Sequence, residues 1–134
     1  MSRKSKSAVP VLRYRYDGPQ RNIGFTFSPL YLNEAKSGGK PEEMLFIYDE
    51  DFVYIRPAVS RAFPFRDPVT GEELDALDPC WENPIPKGRW GAVLAELDQL
   101  GGADSELRRF VQQFTDWARH QLEHADGIEI TGNL

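Results

Sequence analysis

Cysteine is nearly missing from this chain: Cys80 is the only one among 134 residues. No disulfide can close within the chain, and no zinc centre can be assembled from thiolates, so the fold must rest on apolar burial. Such scarcity fits a reducing compartment. Long apolar runs are missing as well. None approaches the roughly 18–20 residues that cross a bilayer, and the basic, Ser-rich start (1–9) is followed by no apolar core of signal-peptide type. Together these absences read as a cytoplasmic protein with no membrane partner. A phosphate-cradling glycine loop is also absent. Gly38-Gly39 has no strand before it and no helix after it, and Gly101-Gly102 closes a helix instead of opening one.

What the chain does have is charge, sorted by position. Between Glu34 and Glu82 stand twelve carboxylates against five cations, a net of minus seven. Residues 1–21 hold six cations against Asp17 alone, a net of plus five. Segregation of this kind suggests a surface that meets a charged partner, because a one-signed face steers association and discriminates between partners. The overall charge of minus five opposes direct nucleic-acid binding, since phosphates would be repelled.

The size fits one domain, with a flexible basic tail over 1–10 and a single α+β domain over 11–134. Val11 to Tyr16 alternates as a half-buried strand does, and so does Ile23 to Phe27 after the turn chemistry of Asp17-Gly18-Pro19. The two runs read as a hairpin. Ser28 to Pro41 reads as a loop. Met44–Tyr48 and Phe52–Ile55 read as a second hairpin whose tip is Asp49-Glu50-Asp51. Ala62 to Phe65 suggests a short edge strand, Asp67 to Gly71 a turn, and Trp81 to Pro86 an extended connector stiffened by proline. The period then changes. Trp90, Val93, Leu94 and Leu97 share one helical face, and Gly101-Gly102 ends that helix. Asp104 or Ser105 can cap a second helix, with the stripe Leu107, Phe110, Val111, Phe114, Trp117, Ala118 and Leu122. Ile128-Glu129-Ile130 can add a final strand. Strands first and helices afterwards predict an antiparallel sheet of N-terminal hairpins with two C-terminal helices on one face.

Catalytic chemistry finds little support in these residues. His120-Gln121-Leu122-Glu123-His124 matches the H-x-x-E-H string, in which two histidines a turn apart bind zinc and glutamate activates water. Only ten residues follow His124, however, and 100-degree steps place His120 about 120 degrees from the apolar stripe. The string reads as a polar helix face, with a small metal-dependent hydrolase as the rival. Cys80 lacks a nucleophile signature and reads as a buried, inert thiol. The expectation is a chain that is not an enzyme, with no catalytic residues, no metal and no cofactor.

Aromatics flank the acids. Tyr31, Tyr48, Phe52, Phe63 and Trp81 lie near strand ends or in loops, and side chains of this type are enriched at interface centres. The passage Asp78-Pro79-Cys80-Trp81-Glu82-Asn83-Pro84-Ile85-Pro86, leading to Trp90, is similar to passages in immunity proteins of contact-dependent growth inhibition and related polymorphic toxin systems. A small, acidic, cysteine-poor α+β chain also resembles those proteins in style. The resemblance implies a cytoplasmic protein that binds the C-terminal domain of one cognate toxin, often a nuclease, and occludes its active site or substrate path. On that reading Asp49, Glu50, Asp51, Glu72, Glu73, Asp75, Asp78 and Glu82 would pair with toxin cations, and Tyr48 or Trp81 would anchor the contact. The further alternative is an adaptor that mimics nucleic acid with its carboxylates.

Overall fold

A computed structural model describes residues 9–19, 23–32, 40–102 and 104–134. These segments hold six strands, four α-helices and two short 3-10 turns, Pro41–Glu43 and Ser60–Ala62. The strands and α-helices are β1 (Gly24–Leu30), β2 (Leu45–Tyr48), α1 (Asp49–Phe52), α2 (Arg56–Val59), β3 (Phe65–Arg66), β4 (Glu73–Leu74), β5 (Glu82–Pro86), α3 (Lys87–Asp98), α4 (Ser105–Leu122) and β6 (Gly127–Gly132). The main sheet runs β2-β1-β6-β5 and is antiparallel throughout, while β3 and β4 form a separate hairpin. The α+β architecture expected from the sequence is present.

Strand alternation divides the sheet into two unlike faces. Phe25, Phe27, Leu45, Ile47, Ile85, Ile128 and Ile130 point inward and are buried. They meet Trp90, Val93, Leu94 and Leu97 of α3 and Phe110, Val111, Phe114, Ala118 and Leu122 of α4 in one core. Aromatic edges knit the layers. Phe27 lies 5.0 Å from Phe114 and Phe25 lies 4.1 Å from Phe52, ring centre to ring centre. Truncating a large aromatic in such a core costs about 3–5 kcal/mol. Asn83 also points inward and is buried, but its amide donates to the carbonyls of Asp78, Trp81 and Ile130, and its oxygen accepts from the Asp78 N–H. With every polar atom partnered, burial is tolerated.

Local chemistry fixes the start of α4 and the reversal before it. Asp104 caps α4 by accepting from the N–H groups of Glu106 and Leu107. Its carboxyl is held below the ordinary aspartate range, chiefly by the Leu107 N–H bond. Between the helices, Gly101 has φ +97, and a Cβ there would press on the Arg108 backbone at 3.0 Å. Only glycine fits that reversal.

Several local expectations are corrected. Phe52–Ile55 is not a strand and Asp49-Glu50-Asp51 is not a hairpin tip. The acids open α1, where negative charge suits the first turn. Val11–Tyr16 does not pair with Ile23–Phe27. It lies beside β2 through a parallel bridge from Val11 to Phe46, and β1 pairs with β2 and β6 instead. Ser28 to Leu30 belongs to β1, not to a loop. Trp81–Pro86 is no mere connector, because Glu82–Pro86 forms the sheet's edge strand. Prolines at 84 and 86 suit that edge, since an edge strand can forgo ladder donors. Of the tail expected over 1–10, residues 1–8 lie outside the described residues, as does the stretch 33–39, while the Pro10 carbonyl accepts from the Phe46 N–H at 2.9 Å.

Candidate functional site

The outward face of the sheet is the part that the helices leave uncovered. Register puts Glu129 of β6 opposite Pro84 of β5 and Ser28 of β1, and Glu82 opposite Thr131. All of these side chains share the face away from the core. The β3–β4 hairpin leans against it. Its turn is fixed locally: the Asp67 carboxylate accepts from Val69 N–H at 2.7 Å and from Thr70 N–H at 3.2 Å, and Gly71 has φ +79. Arg66 donates to the Gly71 carbonyl at 2.6 Å, so the hairpin's own cation is engaged within the turn.

Between hairpin and sheet lies a cleft of about 190 Å³ lined by Leu30, Asp67, Val69, Thr70, Glu82, Pro84 and Glu129. Three carboxylates therefore share one small space with apolar walls. Partial burial raises the Glu129 carboxyl above the ordinary glutamate range, and the charges of Glu82 and Asp67 push it further in the same direction. Among the described residues, none of Asp67, Glu72, Glu73, Asp75, Glu82 and Glu129 makes an ion pair. Two large exposed apolar side chains accompany them: Val69 in the cleft lining, at 72% of full exposure, and Trp81, next to Glu82 in the chain, at 68%. An unneutralised acidic patch with an exposed tryptophan can attract and hold a cationic surface.

The residues expected to meet a partner divide into two sets. Glu72, Glu73, Asp75, Asp78, Trp81 and Glu82 are exposed on the hairpin, its following segment and the start of β5. Tyr48 and Asp51 are not available to a partner, because both are buried. Tyr48 lies under the ring of Tyr16 at 4.4 Å and the guanidinium of Arg13 at 5.3 Å. Asp51 turns inward and accepts three backbone N–H bonds, from Tyr14 at 2.8 Å, Arg15 at 2.7 Å and Tyr16 at 2.9 Å. Its neighbours Asp49 and Glu50 remain at the surface, half-buried and exposed. Phe52 is also fully buried, and Phe63 packs partly buried against the core.

Sequence reasoning passed over Glu129 and Asp67 as site residues. The alternation of Ile128-Glu129-Ile130 places Glu129 on the outer face, but its nearness to Glu82 depends on the pairing of β5 with β6. Cys80 is exposed rather than buried, its thiol 3.3 Å from the Leu134 carbonyl oxygen. His120, Glu123 and His124 stand exposed at the end of α4. Among the described residues, no three His, Cys, Asp or Glu side chains converge to hold a metal ion, and no helix is long and apolar enough to cross a membrane.

Comparison with known proteins adds one distant relative. The chain is 27% identical over 106 residues to a peptide deformylase of Roseiflexus sp. (strain RS-1), covering 79% of this chain and 54% of that protein. It thus spans about half the length of the curated relative it matches. No protein-family model matches the chain, and no solved structure does. The deformylase match overturns the expectation that the chain is not an enzyme. That expectation rested on missing local motifs, and catalytic groups brought together from distant positions leave no such motif.

Proposed function

We propose that the chain binds a basic protein domain through the outer face of its sheet and the β3–β4 hairpin, and that this partner is the toxin domain of a polymorphic toxin system, met in the cytoplasm. The observation that carries the reading is the set of carboxylates Asp67, Glu72, Glu73, Glu82 and Glu129, which make no ion pair among the described residues, together with exposed Trp81. Crowded like charges oppose one another, and a partner's Lys or Arg residues relieve that repulsion on binding. A nuclease fits this surface well, because a cleft built to hold phosphates is itself cationic. Contacts at the rim raise the association rate, while truncating one partner of a desolvated pair costs about 2–5 kcal/mol. The test is affinity for the C-terminal domain encoded by the gene immediately upstream. The double reversal Glu82→Lys with Glu129→Lys, and separately Glu72→Lys with Glu73→Lys, should each weaken binding and flatten its salt dependence. Unchanged affinity in both double variants rejects the face.

A second reading rests on the deformylase match. It is hydrolysis of an N-formyl peptide, in which water adds to the formyl carbon, the C–N bond breaks, formate leaves and the peptide keeps its free amine. The purified chain incubated with N-formyl-methionyl peptide, with formate as the readout, decides it. No formate above an uncatalysed blank ends that reading.

A further inference from the structure

The C-terminal end of α4 carries a group of side chains that the acidic face does not use. His120 lies in the last turn of α4 and His124 four residues on, in the turn that follows the helix, with ring centres 5.9 Å apart and planes at 88°. Two imidazoles that share a tetrahedral ion, each nitrogen about 2.0–2.1 Å from it, have centres roughly 5 Å apart. Both side chains are exposed, so rotation of the rings closes that difference without moving the backbone. Glu123 is the nearby carboxylate: its Oε1 lies 3.9 Å from Nδ1 of His120, a separation that side-chain rotation has to shorten before a hydrogen bond forms. A metal-ligating histidine commonly directs its other nitrogen to a carboxylate, which fixes the ring and its tautomer. With that bond made, Nε2 of His120 would be the nitrogen available to an ion. The nearest cation along the helix, Arg119, is tied to Asp98 by two bonds, at 3.1 and 2.6 Å, and so does not compete. The negative end of the helix dipole adds a favourable field for positive charge.

We infer that His120 and His124 form a two-imidazole chelate for a divalent late transition-metal ion, zinc or nickel, with Glu123 as the positioning residue and water in the remaining coordination places. Imidazole donors select this class of ion over magnesium or calcium, which prefer oxygen ligands. Two protein ligands make an exchangeable surface site, in keeping with the lack of any three converging ligands among the described residues.

Calorimetric titration of the full chain, free of any histidine tag, with zinc chloride and with nickel chloride tests this. The expected result is one ion per chain, with His120→Ala and His124→Ala each weakening the affinity at least about tenfold. Glu123→Gln should weaken it by about tenfold, the lower end for a supporting partner, while leaving the melting temperature in chelator unchanged. Either of two results overturns the site. One is no saturable binding by the unaltered chain. The other is binding that survives both histidine variants and is lost in Cys80→Ala, which would assign the ion to the exposed thiol.

Discussion

Asp51 and Glu129 are carboxylates of the same chain with opposite surroundings. Asp51 is wholly buried, yet its two oxygens receive three backbone N–H bonds of 2.7–2.9 Å. Glu129 keeps partial access to solvent, yet among the described residues it has neither a hydrogen-bond donor nor an ion-pair partner, and two like charges stand near it. Burial alone therefore does not decide whether an acid is comfortable. What decides it is whether donors point at the charge. At Asp51 the segment Tyr14–Tyr16 supplies them and is itself tied down by doing so. Around Glu129 the described neighbours are Glu82, Asp67 and apolar side chains, and none of them brings a compensating charge.

The largest effect should come from breaking the Asp51 side of this contrast. Asp51→Ala removes the acceptor for three N–H groups at once and should cost about 3 kcal/mol of stability in denaturant unfolding. Amide exchange should speed up at Tyr14, Arg15 and Tyr16, while the core strands keep their relative protection. Asp51→Asn keeps one carbonyl acceptor, and a loss of roughly half that size is expected.

Glu129→Gln sharpens the other side, with a smaller effect and the reverse sign. The folded-state value of Glu129 is raised, so between the ordinary glutamate range and that raised value the folded chain holds more proton than the unfolded one. Stability from this group therefore falls as pH rises through that window and recovers as pH drops back through it. The neutral amide removes the penalty. At pH 7 a gain of about 0.5 kcal/mol or less is expected once solvent screening is allowed for, and a melting-temperature profile against pH should be flatter than that of the unaltered chain. A gain at pH 4 equal to that at pH 7 would contradict the repulsion argument.

Trp81→Ala should have the smallest effect on stability, within about 0.5 kcal/mol, because its side chain is largely exposed. Its affinity for a basic partner should nonetheless drop. A stability loss of several kcal/mol would mean that Trp81 packs, and would remove it as an anchor.

Much of this molecule was legible along the chain. The stripe from Trp90 to Leu97 and the stripe from Leu107 to Leu122 form α3 and α4, with Asp104 at the cap and Gly101 at the reversal. Helical signals are local, since period, cap and stop lie within a few residues of one another. The region from Asp49 to Ile55 departs from the expected hairpin for a matching reason. Apolar Phe52 to Ile55 fits a strand or a buried helical turn equally well, and so short a run carries no period to separate them. The candidate site was half legible. Exposure of Glu72 and Glu73 followed from loop-like surroundings, whereas Asp67 and Glu129 stand far apart in sequence and meet only across the packed hairpin and β6.

By itself the sequence determined the α+β class, the two long helices, the two-faced character of the strands and the excess of acid in the middle of the chain. These depend on periodicity and composition, which neighbouring residues carry between them. Only the tertiary structure decided which acids are structural and which are left facing outward. That choice depends on which backbone N–H groups and which other charges arrive from elsewhere in the chain: Tyr14–Tyr16 reach Asp51 across more than thirty positions, and Asp67 and Glu82 crowd Glu129.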